Sequence, residues 1–155
     1  MLIDAPPRTQ AVRLTILGQA ASKANSRKIV TIAGRTQLAK SKEALAFEHD
    51  ALRQIPPAAR LRLEGPVCVT LRMFYATERP DLDESIVLDV LQDRWKAAKR
   101  DKQGNEITPR TLIQSGVYRN DRQVREKHVF HAIDRANPRV EVLVVPLHAQ
   151  QGELL

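Results

Sequence analysis

The chain has 155 residues, with 25 lysines and arginines against 18 aspartates and glutamates, a formal charge of +7 and a pI near 10.0. Hydrophobic residues make up 43% and charged residues 28%, which excludes a disordered chain or a fibre and leaves one globular domain with a real core. The longest clean apolar run, Val142 to Val145, is far short of the ~20 residues of a membrane span, and Met1-Leu2-Ile3-Asp4 carries no signal pattern, so a cytoplasmic protein without a membrane partner is expected.

Residues 1–11, with Pro6 and Pro7, have no period and read as a loose lead-in to a domain spanning 12–146. Val12-Arg13-Leu14-Thr15-Ile16 alternates apolar and polar, as a half-buried strand does, and Gly18 ends it. A basic loop, 22–28, leads into the β-prone run 29–32 and a turn at Gly34. Apolar residues at three- and four-residue steps predict a helix over 38–55, stopped by Pro56 and Pro57. Val67, Val69, Leu71, Met73 and Tyr75 alternate along a long strand ending near Ala76. Pro80 fixes an extended exit from it. A second helix is expected from Asp83, as N-cap, through Ile86, Val87, Val90, Leu91 and Trp95 to about Lys99. Residues 100–116 read as a long polar loop. Strands over 123–133 and 139–146, joined by a turn at 134–138, close the domain, and 147–155 is expected to fray. Segregated strands with two main helices predict an α+β single domain with a mixed sheet.

The arginine-rich basic excess suits phosphate, because the guanidinium fork binds two oxygens at once. Within it stands an acidic corner, Asp81-Leu82-Asp83-Glu84. Two aspartates separated by one extended residue point to the same side and can reach one hard divalent cation, although a turn plus an N-cap explains the same residues. A third acid, Asp121, precedes a predicted strand that can bring it beside the corner. Three carboxylates gathered together repel one another unless a cation fills the cluster, so acids flanked by arginine point to metal-assisted phosphoryl chemistry.

Other chemistry has less support. Cys68 is the single cysteine; it forms no internal disulfide or multi-thiolate zinc site and reads as a small core residue. His128 and His131, three apart in a strand, face opposite sides and do not pair on one zinc. The PD-to-E-x-K nuclease pattern stops at Pro80-Asp81, since Glu126 and Lys127 are adjacent. No glycine-rich phosphate loop or G-x-S-x-G elbow is present. Aromatic residues are too few for a single-strand stacking platform, which favours duplex or branched DNA gripped by its phosphates.

Asp81-Leu82-Asp83 opening a helix, and Asn120-Asp121-Arg122-Gln123-Val124 opening a strand, resemble the RusA-like family of Holliday-junction resolvases. Gly18 followed by Ser22-Lys23-Ala24-Asn25-Ser26-Arg27 is similar to that family's opening segment, and the similarity runs from about Val12 to Val145. The resemblance implies a homodimeric, Mg²⁺-dependent (Mn²⁺ also serving) endodeoxyribonuclease, carried by phages and prophages. Such an enzyme resolves four-way DNA junctions by paired nicks in recombination and repair. By position, Asp81, Asp83 and Asp121 match the catalytic carboxylates that hold the metal, with Glu84 as an extra ligand or a first-turn acid. The family's helix carries a functional lysine four residues after the second aspartate, where this chain has Val87. Lys96 is too far along to replace it, which leaves Arg79, Arg119, Arg122, Lys23, Arg27 and Lys28 as the candidate phosphate contacts. The alternative from another class is a degenerate, non-catalytic DNA-binding protein; a nucleotide-sugar transferase using D-x-D ranks below both.

Overall fold

A computed structural model describes residues 10–78 and 81–147, so the expectations placed on Arg79, Pro80 and the extreme termini lie outside the described residues. In chain order the elements are β1 (Val12–Leu17), β2 (Arg27–Ile32), β3 (Arg35–Lys40), α1 (Lys42–Gln54), β4 (Val67–Tyr75) and α2 (Ser85–Val90). There follow β5 (Arg94–Lys96), β6 (Lys99–Arg100), β7 (Glu106–Thr108), β8 (Thr111–Gln114), β9 (Val124–Ile133) and β10 (Arg139–Pro146). β1, β10, β4 and β9 form the main sheet in that order, with β9 parallel to β4 and the other pairs antiparallel. This is an α+β fold with a mixed sheet, as the segregated pattern predicts.

The alternating residues decide the faces. Val67, Val69, Leu71, Met73 and Tyr75 of β4, with Val140, Val142 and Val144 of β10 and Val12 and Ile16 of β1, are buried on one side of the sheet. They share one core with Ala44, Phe47 and Ala51 of α1 and with Ile86, Val87, Leu88 and Val90 of α2. Cys68 sits on β4 between two inward valines, so it lies half-buried on the opposite face and not in the core where it was expected.

The predicted first helix is too long at its start. Ser41 caps it, with Oγ accepting from the Ala44 amide at 3.1 Å, and residues 38–40 belong to β3. β3 pairs with β2 through a two-residue turn, Ala33-Gly34, whose φ values of 51° and 76° are both positive, as tight hairpins require. Leu38, counted into the helical stripe by spacing, is 74% exposed on that hairpin.

The second helix also ends early, at Val90, and not near Lys99. Leu91 carbonyl accepts from Val117 N at 2.8 Å, so the 116–118 segment takes up the backbone that a continuing helix needs. Trp95 therefore lies in β5, with the Arg110 guanidinium 4.2 Å from its ring centroid. Residues 100–116 are not structureless; they hold β6, β7 and β8, with β6 paired to β7 and β8 returning to β5. Among the described residues, no helix is long and apolar enough to cross a membrane.

Candidate metal and phosphate site

A cavity of about 310 Å³ opens where five elements meet. β2 contributes Arg27, β3 Lys40, α1 Ala44, and the entry and body of α2 Asp83, Ser85 and Asp89, while the short turn before β9 contributes Asp121. A slightly larger cavity, about 360 Å³, is lined by Glu43 and Asp50 among others but by no lysine or arginine, so it lacks the mixed charge that phosphate chemistry requires.

Asp83 is nearly buried, and its Oδ1 accepts from the Ser85 amide at 3.2 Å and from Ser85 Oγ at 2.5 Å. Asp83 thus forms a side-chain turn just ahead of α2; the N-cap position is Glu84, one residue later than the sequence pattern predicts, and it has no side-chain cap bond. Asp121 opens a turn fixed on both sides: Asn120 Oδ1 accepts from Arg122 N at 2.9 Å, and Gln123 Oε1 accepts from Asn120 N at 2.9 Å. The Asp121 amide donates to Gln92 Oε1 at 3.1 Å, and Gln92 Nε2 donates to Asp89 Oδ1 at 2.7 Å. One glutamine therefore ties Asp121 to Asp89.

Lys40 completes the wall. Its ammonium donates to Asp89 Oδ2 at 2.8 Å and to Glu48, whose other oxygen accepts from Arg94 at 2.7 Å. Partial burial works against the charge on Lys40, but its bonds to Asp89 and Glu48 outweigh this and hold its pKa above the ordinary lysine value.

Of the residues singled out from the sequence, Asp83 and Asp121 line the cavity and Asp81 does not. Asp81 is exposed, and its carbonyl accepts from Lys23 N at 3.0 Å, tying the 22–26 loop to the acidic corner. Among the described residues, the three aspartates do not bring their carboxylate oxygens within 4.8 Å of one another. Glu84 turns to β9, where Lys127 Nζ donates to it at 2.9 Å; that bond holds its carboxyl below the usual carboxylate range. Arg27 reaches the cavity, Lys28 is exposed on β2, Arg119 pairs with Glu64, and Arg122 lines a separate shallow pocket with Gly65 and Pro66.

Lys40, Glu48, Asp89 and Gln92 were not anticipated. One signal was present: Glu48 shares the apolar stripe of α1 with Ala44, Phe47 and Ala51, and an acid on a buried stripe demands a cationic partner. Val87, where the resembled family has lysine, is fully buried in the core, so the cavity cation comes from β3 and not from α2. Comparison with known proteins finds no matching family model and no matching curated relative.

Chemically the cavity offers aspartate oxygens beside guanidinium and ammonium groups. Carboxylate oxygens suit a hard divalent cation, and the flanking cations suit a phosphate that such an ion carries.

Proposed function

We propose that the chain is a Mg²⁺-dependent endodeoxyribonuclease that resolves four-way DNA junctions as a homodimer. The observation that supports this reading best is the single cavity in which Asp83 and Asp121 face Arg27 and Lys40. Asp83 Oδ2 and the Asp121 carboxylate take no hydrogen bond among the described residues, and these all-oxygen donors fit Mg²⁺ or Mn²⁺ with water completing the shell. Asp81, two residues before Asp83, is exposed and stands outside the cavity lining. When bound, the ion polarises the scissile phosphate and lowers the pKa of the attacking water.

The chain's own residues do the rest. Lys40 has three N–H donors, of which Glu48 and Asp89 take two, leaving one for a phosphate oxygen. Arg27 adds a planar fork to the same wall. Lys23, Lys28, Arg119 and Arg122 extend the basic surface to neighbouring phosphates. The described residues present one cavity with this aspartate pair, so on this reading paired cuts across a two-fold junction require two chains.

The test is incubation of the purified protein with a synthetic four-way junction and Mg²⁺. Paired nicks that vanish with Asp83→Asn support the reading; no nicks from the wild type, or equal cutting by Asp83→Asn, overturns it. The second reading, a non-catalytic DNA-binding protein, draws on Asp81 standing outside the cavity and on the apolar Val87. It requires junction binding that weakens with salt, with a slope of about −0.9 per phosphate contacted, and no rise in melting temperature with Mn²⁺.

A further inference from the structure

A second group of metal-ligating side chains lies on the opposite face of the sheet from the core, away from the aspartate cavity. β4 and β9 run parallel, and Cys68 stands in register with Glu126. Because strand residues alternate, the inward Val67 and Val69 send Cys68 outward, and Glu126 and His128, two apart, share that outer face. His131, three residues on, goes the other way, its ring edge-on to Tyr75 at 5.0 Å between centroids. The two histidines thus do not meet, but His128 finds different partners across the strand pair.

The Cys68 sulfur, a Glu126 oxygen and a His128 nitrogen all lie within 4.8 Å of one another. Glu126 Oε1 is 2.8 Å from His128 Nε2 and already fixes the imidazole beside the thiol. Tetrahedral zinc, with bonds of about 2.0–2.3 Å, sets its ligands roughly 3.5 Å apart. Small side-chain rotations therefore admit the ion: the Glu126–His128 pair opens and the sulfur closes in. All three side chains are accessible or half-accessible, so no core packing resists this.

We propose that Cys68, Glu126 and His128 form a zinc site with three protein ligands and a fourth position open to water. The donor set selects the ion. One sulfur, one imidazole nitrogen and one carboxylate oxygen suit a borderline divalent cation, whereas the aspartate cavity, all oxygen, suits Mg²⁺. Zinc here bridges β4 to β9, the edge strand that only β4 holds in the main sheet, so binding ties that edge down. The inference does not depend on nuclease activity.

The experiment titrates the metal-free full chain with Co²⁺ and then Zn²⁺, following thiolate-to-cobalt absorption and melting temperature. The expected result is one Co²⁺ per chain with a sulfur charge-transfer band, displacement by Zn²⁺ and a zinc-dependent rise in melting temperature. Cys68→Ser abolishes the band, and His128→Gln weakens zinc binding roughly tenfold or more. Circular dichroism without metal checks that both variants are folded. Absence of the band in the wild type, or unchanged zinc affinity in folded Cys68→Ser, overturns the site. Asp83→Asn retains the band, and Cys68→Ser retains any junction cleavage in Mg²⁺, so the failure of either site is read separately.

Discussion

Lys40 and Asp89 are 49 residues apart in the chain, yet their side chains meet at 2.8 Å on the wall of one cavity. Their contact joins the end of the β2–β3 hairpin to α2, and through Gln92 it reaches the turn that carries Asp121. Glu48, nearly buried on α1, holds the other side of the ammonium. A lysine so placed has little rotational freedom left to lose when a phosphate arrives.

Replacing Lys40 with Met is expected to lower junction cleavage roughly 10²–10³-fold, the usual cost of removing one preorganised group from a developing charge. It also leaves Glu48 with Arg94 alone, for a destabilisation of roughly 1–3 kcal/mol. Lys40→Arg keeps the charge, and is expected to lose less in both measurements. Single-turnover nicking rates and thermal melts separate the two effects; unchanged nicking by folded Lys40→Met removes Lys40 from the chemistry.

Asp83 has two roles that two substitutions separate. Asparagine keeps an acceptor for the Ser85 amide and hydroxyl, so Asp83→Asn is expected to melt within about 0.5 kcal/mol of the wild type without metal. It is expected to lose the Mn²⁺-induced rise in melting temperature. Asp83→Ala loses the bonds to Ser85 as well, for about 1 kcal/mol. EDTA is expected to bring wild type and Asp83→Asn to the same melting temperature. A full Mn²⁺ shift in Asp83→Asn leaves Asp83 only its structural bonds to Ser85.

The Glu84–Lys127 contact predicts a pH dependence with a definite sign. Lys127 holds the Glu84 carboxyl below the usual range. Its stabilisation is therefore complete above the ordinary glutamate pKa and is lost as the pH falls through the depressed value. With Lys127 half exposed, the contribution is expected to be below about 1 kcal/mol. Glu84→Gln should melt slightly below the wild type at neutral pH and coincide with it well below the carboxylate range. A gap that persists in acid assigns the effect to packing.

Three strands of the main sheet were legible because they keep strict alternation: each inward position of β4 is apolar, and β1 and β10 follow the same rule, whereas the edge strand β9 does not. The helices were harder because spacing does not report exposure. Leu38 continues the stripe of α1 in sequence but belongs to an exposed hairpin, and Trp95 continues that of α2 but is drawn into β5 by β8. In the site, Asp83 and Asp121 were found as acids at element boundaries, where strand and helix ends naturally converge. Lys40 was not, because its position depends on how the hairpin folds over α2, a contact with no local pattern. The alternation that sets His128 and His131 on opposite faces is also what sets Cys68 and Glu126 on one.

Gly116 supports the site from a distance. A side-chain carbon there would stand 2.3 Å from the Gln92 carbonyl carbon and 2.6 Å from Asp93 N, both backbone atoms that cannot swing aside. The close approach is held by Asp93, whose buried carboxylate accepts from Gly116 N at 2.8 Å and, through its other oxygen, from Arg62 at 2.9 Å. Gly116→Ala must push residues 91–93 away, straining this contact and moving Gln92, the residue that positions both Asp89 and Asp121. The expected cost is roughly 2–3 kcal/mol, a fall in Tm of roughly 4–12 °C for a chain of this size. Nicking by the folded fraction at low temperature is expected to fall as well, because the cavity loses its link between the two aspartates. If Tm moves by less than about 1 °C, the 91–93 backbone yields easily, and the rigid support assigned to it is wrong.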